Sequence, residues 1–141
     1  MDVLGEDEVP LVVVDAANTV GSVPDGWWRD RYAATERLRD FLAPLAAQGL
    51  PARDDVPEAF RRPPLDVLLV VEGAAREVPP VPGVRVEAAP GSGDDRMVEL
   101  LAEAARRAPH RPLLLITADR ELRRRVQPLG ATCAGPRTVR P

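Results

Sequence analysis

With 141 residues and a mass of 15.3 kDa, the chain has material for one well-cored domain and not for two ordinary ones. Hydrophobic residues at 45% and charged residues at 29% are a globular balance, and no apolar run nears the ~20 residues that span a bilayer, so a membrane-spanning helix is excluded. The net charge of −3 argues against an unspecific polyanion binder, and the absence of lysine excludes P-loop, Schiff-base and lysine-dependent phospho-acceptor chemistry.

Residues 1–8 carry Asp2, Glu6, Asp7 and Glu8 and read as an acidic, flexible tail. They lack the basic, then apolar, design of a secretion signal, so the expected location is the cytoplasm. The lone Cys133 fits a reducing compartment and reads as a small buried hydrophobe. A single domain is expected over residues 9–141.

The run Val12-Val13-Val14-Asp15-Ala16-Ala17-Asn18 reads as a strand buried on both faces and ending in an acid. A loop at 19–26 follows, with Asp25 as the expected cap of a helix over 27–47. Tyr32, Leu38, Phe41, Leu42 and Leu45 form that helix's inward stripe, and Gly49 ends it. Residues 51–64 are a proline-rich connection with one helical turn near Phe60. Residues 65–71 repeat the buried-strand pattern and deliver Glu72.

Residues 84–88 alternate as a half-exposed strand does. Pro90-Gly91-Ser92-Gly93-Asp94-Asp95 then opens a helix, capped by Ser92 or Asp94, with Met97, Leu100, Leu101, Ala104 and Ala108 on its buried side. Residues 112–116 form a third apolar strand and lead to Asp119. A short basic helix over 120–126 and a last strand over 131–134 complete the chain. The pattern is that of a three-layer α/β/α sandwich around a mainly parallel sheet of four or five strands.

In such a sheet the carboxyl ends of parallel strands share one edge, where ligands bind. Asp15, Glu72 and Asp119 each follow a buried strand, and Asp94 and Asp95 open a helix after another. Carboxylates gathered there stay ionised only beside a cation, and all-oxygen ligands select Mg²⁺ or Mn²⁺. Metal ions held in this way perform phosphodiester hydrolysis.

Arg96 and Arg120, each directly after one of these acids, are the arginines best placed for phosphate, while Arg123, Arg124 and Arg125 read as a solvated helix face. Trp27 and Trp28 read as helix-start packing, with base stacking as the alternative.

Val12-Val13-Val14-Asp15-Ala16-Ala17-Asn18, Val70-Val71-Glu72-Gly73, Gly93-Asp94-Asp95-Arg96-Met97-Val98 and Thr117-Ala118-Asp119-Arg120-Glu121-Leu122 together resemble the PIN-like nucleases, in particular their NYN and YacP-like branch. The resemblance implies that Asp15, Asp95 and Asp119 bind Mg²⁺ or Mn²⁺ for RNA cleavage, with Asp94 as a further ligand. Asp95 is preferred over Asp94 because it precedes Val98 by three residues. Glu72 stands where the branch tends to carry Asp and is expected to complete or tune the catalytic set. Asn18 and Thr117 match an asparagine and a hydroxyl near the site and are expected, with Arg96 and Arg120, to meet substrate.

RNA is therefore the expected partner, with a homodimer and a regulatory protein left open. The rival readings are a nucleoside triphosphate pyrophosphohydrolase and a non-catalytic RNA- or protein-binding module of the same fold. A toxin is a narrower version of the nuclease reading.

Overall fold

The apolar run near the start of the chain forms β1 (Leu11–Asp15), and all five of its residues are buried. The computed structural model describes residues 6–140. Of the acidic tail, residues 1–5 lie outside that range, and Glu6–Glu8 form a 3₁₀ turn. β2 (Asp66–Val71) and β4 (Leu113–Ile116) flank β1, while β3 (Val84–Ala88) and β5 (Thr132–Ala134) extend the sheet outward. The order is β3-β2-β1-β4-β5, and every pairing is parallel.

Parallel strands need crossover connections, and these carry the helices onto both faces. Alternation along β1 sends Val12 and Val14 to one face and Val13 to the other. The first face is covered by α1 (Ala16–Val20) and α2 (Arg31–Gln48) and the second by α3 (Gly93–Arg107) and α4 (Arg120–Val126). Met97, Leu101, Leu122 and Val126 fill the second core. The result is the expected three-layer α/β/α sandwich. No helix among the described residues is long and apolar enough to cross a membrane.

Three local expectations are corrected. Residues 16–20, the first of them assigned to the strand's tail and the last to a loop, are helical, because the Asp15 side chain caps them. The long helix starts at Arg31 rather than 27. Trp27–Arg29 form their own 3₁₀ turn, and Asp30 caps α2 by accepting from the Ala33 amide at 3.0 Å. Asp25, the expected cap, instead accepts from Arg140 at 3.0 Å, a contact that holds its carboxyl below the usual range. Phe41 is also 55% exposed. The buried row of α2 is Ala34, Leu38, Leu42 and Ala46, spaced by four, and Phe41 stands about a quarter turn to its side.

Gly49 ends α2 with φ at 93°, and a Cβ built there meets the Arg61 carbonyl oxygen at 2.3 Å. Both strain and collision forbid a side chain. Gly49→Ala is expected to cost about 3–4 kcal/mol and to lower the thermal midpoint by roughly 10 °C. A midpoint within ~2 °C of wild type in a calorimetric scan would contradict that.

Charges at the amino edge of the sheet are paired off. Asp66, the first residue of β2, accepts from Arg85 at 2.9 and 2.8 Å and from Arg111 at 3.0 Å. The unneutralised acids lie at the opposite edge.

Candidate active site

Asp15 is the last residue of β1, Glu72 follows β2, Asp94 stands in the first turn of α3 and Asp119 follows β4 by three residues. Parallel register brings all four to the carboxyl edge of the sheet. Asp15 is 5% exposed. Its Oδ1 accepts from the Asn18 amide at 3.2 Å and its Oδ2 from the Thr117 hydroxyl at 2.9 Å. Burial raises its pKa from 3.8 to about 6 against the pull of those two bonds, and the charges of Asp94 and Glu72 push the same way.

Asp94 has no hydrogen-bond partner for its carboxylate among the described residues, and its pKa is also raised. Partial burial is the largest cause, followed by the fields of Asp119 and Glu72. Asp95, preferred on sequence, is oriented differently. Its carboxylate is 65% exposed and accepts from Arg125 at 2.8 Å. Successive helical residues point about 100° apart, so only one of the pair can face the strand ends. In the structure Asp94 takes that place, and Asp95 turns to Arg125.

Glu72 accepts from the Gly93 amide through Oε2 at 2.6 Å, so its carboxylate sits on the start of α3. A Cβ on Gly93 would lie 2.9 Å from that oxygen. The bare glycine is what lets Glu72 and α3 meet, and Glu72 thereby fixes where Asp94 stands.

Thr117, expected to contact substrate, is fully buried and cannot. Its hydroxyl donates to Asp15 and accepts from the Asp119 amide at 3.1 Å, linking two acids through one oxygen. The Asp119 carboxylate turns back to cap α4, with Oδ1 accepting from the Glu121 and Leu122 amides at 2.9 and 3.1 Å. Arg123 donates to the Thr117 carbonyl through Nε and Nη2, and Asn18 accepts from the Ala118 amide at 2.8 Å. Asn18 is therefore first a clamp on this turn, and only its Nδ2 is left for a substrate. Sequence reading missed the role of Arg123, whose signal was its place one turn after Asp119.

Thr117→Val keeps the shape and removes the hydroxyl. It is expected to cost ~1–3 kcal/mol in stability, through the unpartnered Asp119 amide, and ~10–100-fold in activity, with Thr117→Ser restoring most of both. Equal activity for the valine and serine variants would remove the hydroxyl from the site.

Arg96, expected to meet substrate, is engaged elsewhere. It is ion-paired with Glu87 and with Glu99, which turns it away from the acids. Arg120 is exposed and has no ion pair among the described residues, so it stays available beside Asp119. Arg124 pairs with Glu121 at 3.6 Å. Trp27 is half-buried against the core and Trp28 is 53% exposed. Arg31, which sequence reading passed over, lines a cleft with Trp27 and Glu72.

Among the described residues, no three carboxylate, imidazole or thiol groups stand close enough together to hold a metal ion as they are placed. The donors are nonetheless of one chemical kind. Asp15, Asp94 and Asp119 present hard oxygens, two of these residues have raised pKa values, and the Asp94 carboxylate accepts no hydrogen bond among the described residues. Such an open carboxylate set suits Mg²⁺, which keeps several waters and takes one or two carboxylates.

No family model matches the sequence, and no curated protein matches it. Among solved structures, the crystal structure of Rae1 (YacP) from Bacillus subtilis is similar with a TM-score of 0.68. The match covers 93% of this chain and 72% of that one at 15% identity. The chain thus shares the fold of that YacP protein.

Proposed function

We propose that this chain is a divalent-metal-dependent ribonuclease, in which Asp15, Asp94 and Asp119 hold Mg²⁺ or Mn²⁺ and Glu72 positions α3 beside them. The observation that carries this reading is the placement of Asp15, Asp94 and Asp119 at one sheet edge, where burial first, and the neighbouring carboxylates second, make Asp15 and Asp94 harder to ionise than an ordinary carboxyl. A bound cation removes that difficulty, as two facing like charges require. The fold shared with a YacP protein supports the same reading.

When bound, the cation supplies neutralising charge for the phosphodiester and lowers the pKa of the attacking water. The chain's own residues do the rest. Thr117 holds Asp15 by donating its proton to Oδ2, and it fixes the Asp119 backbone through the same oxygen. Arg120 offers a guanidinium to a substrate phosphate, as the planar fork of arginine suits.

The test is cleavage of a labelled, partly structured RNA under Mn²⁺, Mg²⁺ and EDTA, with a nucleoside triphosphate in a parallel reaction. Cleavage of RNA that needs metal and fails in Asp94→Asn supports the proposal. Turnover of the triphosphate in preference to RNA would replace it with the pyrophosphohydrolase reading. RNA binding in EDTA without cleavage under either metal would replace it with the binding module.

A further inference from the structure

A cleft of about 480 Å³ opens next to the carboxylates, between α1, the start of α2 and the turn after β2. Its floor is small and apolar, with Ala16, Ala17 and Val20 contributed by the helix that Asp15 caps. Trp27, Arg31 and Glu72 line it as well. The volume falls in the range of small-ligand pockets, ~300–1,000 Å³.

The Trp27 indole is held in place. The Trp28 ring meets it edge-on at 6.0 Å and 87°, and the Arg31 guanidinium lies 5.3 Å from its ring centre. Arg31 is exposed and has no carboxylate partner among the described residues. A fixed indole with a guanidinium over one face, and no carboxylate paired to that guanidinium, is complementary to a flat base with an attached anion. Glu72 is the one carboxylate lining the cleft, and Arg31 opposes its charge.

We infer that this cleft is a stacking subsite for one unstacked nucleobase of a single-stranded RNA, with Trp27 as the stacking surface and Arg31 as the partner of its phosphate. The identity of the polymer rests on the ribonuclease reading. Ala16, which lines the cleft, directly follows Asp15, so the cleft adjoins the carboxylate edge. No side-chain amide lines the cleft, and the Thr35 hydroxyl already donates to the Arg31 carbonyl at 2.8 Å. Recognition is therefore by stacking and tolerates different bases, whereas a base inside a duplex stack cannot enter.

The chain has two tryptophans, so Trp28→Phe leaves Trp27 as the sole indole reporter. This variant is titrated in EDTA with a short oligouridylate, the same oligomer with one abasic position, uridine monophosphate and an RNA duplex. The oligouridylate is expected to quench Trp27, the abasic oligomer to bind more weakly, and the duplex to leave emission unchanged. Trp27→Leu is expected to weaken oligomer binding about 5- to 150-fold, with Trp27→Phe retaining most of it. Arg31→Ala is expected to weaken binding and flatten its salt dependence by about 0.7 in log-log slope.

Oligomer binding unchanged in Trp27→Leu, or duplex quenching equal to that of the single strand, would overturn the subsite. Monophosphate binding as tight as the oligomer would make the cleft a free-nucleotide site instead, which also overturns it. Trp27→Phe and Arg31→Ala keep the test decisive if the leucine variant does not fold.

Failure of the two readings is distinguishable. Trp27-dependent binding without cleavage under Mn²⁺ defeats the ribonuclease and leaves the subsite. Cleavage by Trp27→Leu at the wild-type kcat/KM defeats the subsite and leaves the ribonuclease.

Discussion

Asp15→Asn is expected to abolish RNA cleavage and, at pH 8, to make the protein more stable. Burial raises the folded-state pKa of Asp15 to about 6, against 3.8 for the ordinary group. The folded chain therefore holds this proton more tightly than the unfolded chain, and stability falls as pH rises from about 4 to about 6. Above that window the ionised carboxylate costs the fold about 3 kcal/mol at most.

Asparagine is nearly isosteric and never ionises, so it removes that cost. Its single amide oxygen can replace only one of the two carboxylate acceptors, so the bond from the Asn18 amide or the one from the Thr117 hydroxyl is lost, which returns part of the gain. The expected net is a thermal midpoint several degrees higher at pH 8 and little changed at pH 4, read by calorimetry. Activity is expected to fall more than ~100-fold, beyond what a supporting residue costs. A variant that is inactive and equally destabilised at both pH values would show that Asp15 is a structural residue only.

The pair Asp94→Asn and Asp95→Asn separates two neighbours that sequence could not. Asp94 faces Asp119 and Glu72, whereas Asp95 pairs with Arg125 in solvent. Asp94→Asn is expected to reduce cleavage ~100-fold or more and to reduce the rise in thermal midpoint that Mn²⁺ gives the wild type. Asp95→Asn loses an exposed ion pair worth ~0–1 kcal/mol and is expected to stay within about threefold of wild-type activity. The reverse ranking in steady-state assays would restore Asp95 and dismiss Asp94.

The difference between those two aspartates marks where sequence reading stops. Strand identity was legible because Val12 to Val14, Val67 to Val71 and Leu113 to Ile116 are apolar on both faces, as only a doubly covered parallel sheet requires. With the strands parallel, the acids after them had to share an edge. Helix phase was not legible. Whether Asp94 or Asp95 points inward depends on the helix starting at Gly93 under the Ser92 cap, and moving that start by one residue exchanges them.

The same uncertainty hid Arg31. Its place in the cleft depends on α2 beginning after Asp30, and the 3₁₀ turn at Trp27–Arg29 that sets this has no distinguishing periodicity. Thr117 was recognised as important, but its place beside β5 rests on the Ala134 carbonyl that its amide bonds at 3.0 Å. That contact is not local, and no short-range pattern encodes it. The basic residues misled for a related reason. Arg96 follows an acid in sequence, yet its partners are Glu87 on β3 and Glu99 one turn along α3.

The bond from Thr117 to Asp15 joins residues 102 positions apart, and β1 has β2 and β4 as its two neighbours. The central strand can therefore complete its pairing only after most of the chain has been made, a topology that delays assembly. During synthesis the acids emerge one at a time, with Asp119 last. A nascent chain carries no assembled site until that residue is free of the ribosome, so the proposed activity would be withheld from the RNA on which the protein is being translated.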